Sequence, residues 1–273
     1  MLERRARGAV AASLAGALVV GAVLVLVGAP VAWPFDVVAN LAPAPHWPEL
    51  RAPAAAAPHV VVLQHGLFRT EASLGRLARA LRAHGYEVLN PGYASTRGSV
   101  AMHATALAGA VSARTQRGPV ASWSFVGHSL GGLVVTSYLR RPDAVRPRAV
   151  VTLGSPHAGA ALADLRKHWF VFRLAMGSEA AFELSPADPL HQLPLPCPEA
   201  FGAVAGHIAG DGHPDIPGPD DGTVAVAEAL PGAAKARLVL PVGHTWLPSS
   251  TAAIAAVLQF VGGGNFPPEP IGR

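Results

Sequence analysis

Hydrophobic positions along this chain fall into two alternating rhythms. Short apolar runs rich in β-branched residues occur at Val60–Leu63, Tyr86–Leu89, Trp123–Val126, Ala149–Leu153, Ala203–Ala205 and Leu238–Leu240. Within them the hydrophobicity is continuous and not every second residue, the pattern of strands covered on both faces of a parallel sheet. Between them the period lengthens. Leu74, Leu77, Ala78 and Leu81 stand at i, i+3, i+4 and i+7, with Gly85 where a helix C-terminus favours it. Ile254, Val257, Leu258 and Val261 repeat that spacing after Pro248 and Ser249. Strand and helix in alternation predict an α/β unit over 59–273, a doubly wound, mostly parallel sheet with helices on both faces.

Two other patterns precede this unit. Gly8–Ala29 carries no charge over about 22 residues, enough to cross a bilayer core of roughly 30 Å as a helix. A cleavable signal is the competing reading, but its apolar core is usually about 7 to 15 residues. Here the small-residue exit Val27-Gly28-Ala29 runs straight into Pro30. The expectation is a retained signal anchor over 1–29, with export after cleavage as the alternative. Arg4, Arg5 and Arg7 before the span place its N-terminus in the cytoplasm and the rest of the chain outside. Residues 30–58 are rich in proline and alanine and read as a semi-rigid tether, since proline fixes φ and removes a donor.

Composition narrows the choices. In 273 residues, half of them hydrophobic, one sizeable core is expected and two full domains are not. The net charge of +4 owes half its size to the N-terminal segment: without Arg4, Arg5, Arg7 and Glu3, 18 basic residues face 16 acidic ones. No Lys/Arg stripe with interleaved aromatics follows, which argues against a nucleic-acid partner. Cys197 is the single cysteine, so no intramolecular disulfide forms.

The chemistry concentrates in Trp123-Ser124-Phe125-Val126-Gly127-His128-Ser129-Leu130-Gly131-Gly132, a strand running through Gly-x-Ser-x-Gly into a helix that stops before Pro142. A serine on so sharp a strand-to-helix turn needs small neighbours, which Gly127 and Gly131 provide, and the turn aims the first amides of the next helix at its hydroxyl. Ser129 is therefore the candidate nucleophile. The backbone N–H of Leu130, the residue after it, is a candidate donor to the oxyanion of a tetrahedral intermediate.

The chain resembles the lipase/esterase branch of the α/β-hydrolase fold family from Val60 to about Phe266. The matching pieces are Gly127-His128-Ser129-Leu130-Gly131, Gln64-His65-Gly66-Leu67-Phe68, Leu153-Gly154-Ser155-Pro156-His157-Ala158-Gly159, Asp221-Gly222-Thr223-Val224 and Val242-Gly243-His244-Thr245. The resemblance implies a serine hydrolase of carboxylic esters, working through an acyl-enzyme and needing no cofactor or metal. It assigns the second oxyanion N–H to Leu67, with His65 orienting the loop. It also implies the chain order nucleophile, acid, histidine, and His244 is the only histidine after Asp221. Asp221 is the favoured acid because it stands directly before Gly-Thr-Val. Asp211, Asp215 and Asp220 remain candidates, with Asp220 expected to be a solvated neighbour, and a solvated or Ca²⁺-binding acidic loop is the bland alternative.

Phe68, His157 and Trp246 are candidates to line a substrate pocket for a small-molecule or lipid ester. His128 is expected to pack beside the sheet. His207 and His213 lack the third ligand a zinc site requires. Trp169, Phe170, Val171, Phe172, Leu174 and Met176 form either a lid for acyl chains or ordinary helix core. An acyltransferase or thioesterase would carry the same three residues, and a non-catalytic binding protein of this fold is the rival from another class.

Overall fold

A computed structural model describes residues 57–166, 179–210 and 212–267 of the chain. Six strands, β1 (His59–Gln64), β2 (Glu87–Leu89), β3 (Ser122–His128), β4 (Pro147–Leu153), β5 (Phe201–Gly206) and β6 (Ala236–Leu240), form one sheet in the order β2-β1-β3-β4-β5-β6. Every pairing is parallel. The chain winds outward from β1 to β2, returns to the other side of β1 as β3, and proceeds strand by strand to β6. The direction of winding reverses between β1 and β3, where loops from the carboxyl ends part and leave a crevice. Register aligns those ends: Gln64 lies opposite Gly127, His128 opposite Leu153, and Gly206 opposite Leu240.

Successive side chains of a strand point to opposite faces, and each face of this sheet meets helices. Val61 and Leu63 of β1 pack with α1 (Gly75–Ala83) and α7 (Thr251–Gly263) through Leu77, Leu81, Ile254 and Val257. Val60 and Val62 pack with α2 (Val100–Thr115) and α3 (Leu130–Leu139) through Leu107, Leu133 and Val134. Shorter helices α4 (Ala161–Arg166), α5 (Glu179–Phe182) and α6 (Val226–Ala229) fill the connections. Ser250 caps α7 by accepting from the Ala253 N–H, and Gly264, at φ 74°, ends it in the left-handed conformation glycine adopts without penalty.

All six expected strands are present, but burial on both faces holds only for the inner four. In β6, Arg237 and Val239 are exposed while Leu240 is buried, and β2 is half-buried throughout. These are the edge strands, where the helical layers run out. Helix α2 has no counterpart in the hydrophobic pattern, because alanines dilute its contrast, although Val100, Ala104, Leu107 and Val111 do fall on its buried side. The Gly8–Ala29 span and the tether up to residue 56 lie outside the described residues. Among the described residues no helix is long and apolar enough to cross a membrane.

Phe125, fully buried at the centre of β3, and Val239, 43% exposed on β6, give opposite expectations. Phe125→Ala should lower stability by about 3–5 kcal/mol, whereas Val239→Ala should stay within about 0.5 kcal/mol. Urea unfolding of both variants measures the difference, and equal losses would contradict the layer assignment.

Candidate active site

The turn from β3 into α3 is as tight as the sequence requires. Ser129 sits at φ 55°, ψ −127°, a conformation rarely occupied by a residue with a side chain. Its N–H donates to the Leu153 carbonyl (2.9 Å), and its own carbonyl accepts from the Gly132 N–H (3.0 Å). Two glycines make room. A Cβ at Gly127 would lie 2.5 Å from the Gly132 backbone, and one at Gly131 would lie 2.1 Å from the Gln64 carbonyl oxygen. Gly131 thus lets α3 begin against the end of β1.

Three side chains from three loops meet at this turn. The Ser129 hydroxyl donates to His244 Nε2 (3.0 Å), and His244 Nδ1–H donates to Asp221 Oδ2 (2.8 Å). The second oxygen of Asp221 accepts from the Thr223 and Val224 N–H groups (3.0 and 2.8 Å), and the Asp221 carbonyl accepts from the His244 N–H (2.8 Å). The carboxylate is therefore pinned on both sides, which fixes the imidazole tautomer with Nε2 free to accept. Gly154, at φ 58°, lies beneath them: a Cβ there would approach Asp221 Oδ2 and His244 Nδ1 to 3.1 Å. His128 buttresses the arrangement from the other side, its Nε2–H donating to the His244 carbonyl (3.1 Å). Burial, followed by its proximity to His244, pushes the His128 pKa well down, so this ring stays neutral.

The loop after β1 closes the other wall. His65 is fully buried, with Nδ1–H donating to the Gly66 carbonyl (3.0 Å) and Nε2 accepting from the Tyr93 N–H (3.3 Å). Tyr93 stacks on the ring at 4.3 Å and donates its hydroxyl to the His65 carbonyl (2.7 Å). Burial lowers the His65 pKa to about 4, which matches a neutral, orienting ring. Gly66 lies so near the elbow that a Cβ would be 3.0 Å from Ser129 Cβ. Leu67 follows in a turn closed by the Arg69 N–H on the Gly66 carbonyl, and Leu130, as the first residue of α3, has an N–H without an intrahelical acceptor.

Residues 55–180 match the model of a family described as "Putative serine esterase (DUF676)". Among solved structures, the mature lipase BlEst2 of Bacillus licheniformis is similar with a TM-score of 0.58 and 19% identity, over 79% of this chain and 96% of that one. The metagenomic carboxyl esterase MGS0156 is similar at 0.51 and 20% identity, over 74% and 69%. The type II thioesterase BorB of the borrelidin cluster is similar at 0.50 and 16%, over 78% and 94%. The chain is a serine hydrolase with the α/β-hydrolase fold. No curated protein matches it in sequence.

Other expectations for the hydrolase resolve residue by residue. Asp220 is not the solvated neighbour: it is completely buried, accepting from the Gly222 N–H (2.7 Å) and, with both oxygens, from the His213 N–H (3.0 and 3.2 Å). Adjacent acids here share the loop, one carboxylate turned toward its backbone and the other toward His244. Asp215 is half-exposed beside His213, and Asp211 lies outside the described residues. Trp246 is 42% exposed on the 3-10 turn that carries His244, and Phe68 adopts a left-handed conformation at φ 57°. His157 turns its Nε2 to Thr152 Oγ1 (3.0 Å) and faces a cavity along α3. Residues 169–176, the lid candidates, lie outside the described residues. Gly154 and His128 sit in quoted motifs, but their contacts with His244 depend on tertiary geometry.

Asp220→Asn replaces one acceptor oxygen with an amide that meets an N–H donor, leaving a buried donor pair unsatisfied. A loss of about 1–3 kcal/mol is expected, read by urea unfolding. An unchanged midpoint would show that the loop does not rely on this carboxylate.

Proposed function

We propose that the hydrolase cleaves carboxylic esters through a covalent acyl-enzyme, with Ser129 as nucleophile, His244 as general base and acid, and Asp221 as the group that orients the imidazole. The observation that carries this reading is the unbroken hydrogen-bonded chain from the Ser129 hydroxyl through His244 to the pinned Asp221 carboxylate. His244 Nε2 takes the Ser129 proton as Oγ attacks the ester carbonyl, and the imidazolium that forms is stabilised by Asp221. The resulting oxyanion is held by the N–H groups of Leu67 and Leu130. Collapse breaks the ester C–O bond, and the leaving alkoxide receives the proton from Nε2. Water, deprotonated by the same nitrogen, then attacks the acyl-Ser129, and collapse of the second intermediate frees the acid and restores the hydroxyl.

The uncharged run Gly8–Ala29 supports a second part of the proposal: the chain is held at a membrane by a retained helix, with the hydrolase unit outside the cytoplasm and lipid esters within reach.

A fluorophosphonate probe is expected to label the folded protein at Ser129 and to leave Ser129→Ala unlabelled; a folded wild-type protein that resists labelling would overturn the enzyme assignment. Asp221→Asn should reduce kcat/KM on p-nitrophenyl esters by about 10³- to 10⁴-fold through the wrong imidazole tautomer. For the anchor, the full-length protein is expected in the membrane pellet with its N-terminal segment intact. Recovery of a soluble chain beginning near residue 30 would contradict the anchor while leaving the esterase reading in place.

A further inference from the structure

Glu228, in α6, makes contacts that the proton transfers at Ser129 and His244 do not use. One carboxylate oxygen, Oε2, accepts from the Ala225 N–H (2.8 Å), and the other, Oε1, accepts from the Ala161 N–H (2.7 Å). Its backbone carbonyl accepts from the Ala158 N–H (3.2 Å). Ala225 lies in the loop that carries Asp221, whereas Ala158 follows β4 and Ala161 opens α4. One residue thus joins the acid's loop to chain 67 positions away.

The bond to Ala225 reaches the acid through a single peptide unit. The Val224 carbonyl and the Ala225 N–H belong to one planar group and point in opposite directions. Glu228 holds the N–H end, and the Asp221 N–H donates to the carbonyl end (3.1 Å). On the other side of the same residue, the Val224 N–H donates to Asp221 Oδ1 (2.8 Å). Rotation of the Val224–Ala225 peptide would therefore release the main chain of Asp221 and disturb a donor that pins its carboxylate. Glu228 opposes that rotation.

The bond to Ala161 supplies the fixed point. Gly154, close beneath the His244–Asp221 pair, begins the stretch of chain that ends at Ala161, so Glu228 ties the acid to the segment that underlies the imidazole. Apolar packing shields the junction. Ala225 is buried with Leu162 of α4 and with Ile216, and Val224 is buried with Ala205 of β5 and Ala229. In such surroundings a charge-assisted bond is stronger, and an N–H left without an acceptor costs more.

We propose that Glu228 is a positioning residue for the hydrolysis, acting through the Val224–Ala225 peptide to hold Asp221 where it orients His244. The assignment rests on the esterase reading, with Asp221 as the acid.

The test is a double-mutant cycle in the full-length protein, read as kcat and KM on p-nitrophenyl butyrate. Glu228→Ala is expected to lower kcat by about tenfold or more with KM nearly unchanged, because a misplaced orienting group impairs the chemical step and not substrate binding. In the Asp221→Asn background the same substitution should lower kcat by less than about threefold, since the group it positions is already lost. A residue that served folding alone would cost the same in both backgrounds. Glu228→Gln keeps the shape and one acceptor oxygen, and serves if the alanine variant does not fold. It should lower kcat by about threefold or more in the parent protein and leave the Asp221→Asn protein nearly unchanged. Equal losses in the two backgrounds, a loss carried by KM, or an unchanged kcat in both folded variants would overturn the role of Glu228 while leaving the esterase reading in place. A parent protein that does not turn over the ester would overturn the esterase reading and this role with it.

Discussion

Ser129 is held at a positive φ that costs on the order of 1–3 kcal/mol for a residue with a side chain, and most of the local architecture exists to keep it there. The Leu153 carbonyl ties its N–H to the neighbouring strand, and the first turn of α3 ties its carbonyl. Gly131 allows that helix to start against the Gln64 carbonyl, closer than any Cβ would permit. The same proximity places Gly66, and so Leu67, beside the serine. Exposure of the hydroxyl and convergence of N–H groups are thus two results of one backbone strain, relieved nowhere because β1, β3 and β4 are locked in register.

The parts visible in the sequence are those with a local signature. Buried strands announce themselves as continuous apolar runs, and the elbow as glycines around a serine. Helix α2 was not legible because its inward stripe, Val100, Ala104, Leu107 and Val111, is set among alanines that lie on every side. Nor was the exposure of Val239, since an apolar run does not say whether its strand ends up at the margin of the sheet. His244 was accessible through its position near the chain's end and its uniqueness. The His128–His244 contact was not, since 116 residues separate the partners and only the assembled sheet joins them.

The acid pair shows the same limit at closer range. Asp220 and Asp221 are identical in type and adjacent in sequence, so no composition argument separates them. Backbone geometry does: Asp220 pairs with Ala225 in an antiparallel bridge, and successive side chains of extended chain point to opposite sides, before Gly222, at φ 90°, turns the chain. Asp220 accepts from the His213 N–H before it and the Gly222 N–H after it, whereas Asp221 accepts from Thr223, Val224 and His244. A charge spent on ordering backbone supports a charge used for orientation, and the loop requires both.

Gly154 carries a consequence of a different kind. Because Gly154 has no side chain, the backbone just after β4 comes close beneath the His244–Asp221 pair. Main chain tied to the end of a parallel sheet follows the sheet when it moves. The position of the imidazole therefore records the integrity of β4 and β5, whose ends meet where the Gly154 N–H donates to the Val204 carbonyl (2.8 Å). Loosening of the core between those strands would reach the histidine directly, with no flexible side chain to absorb it.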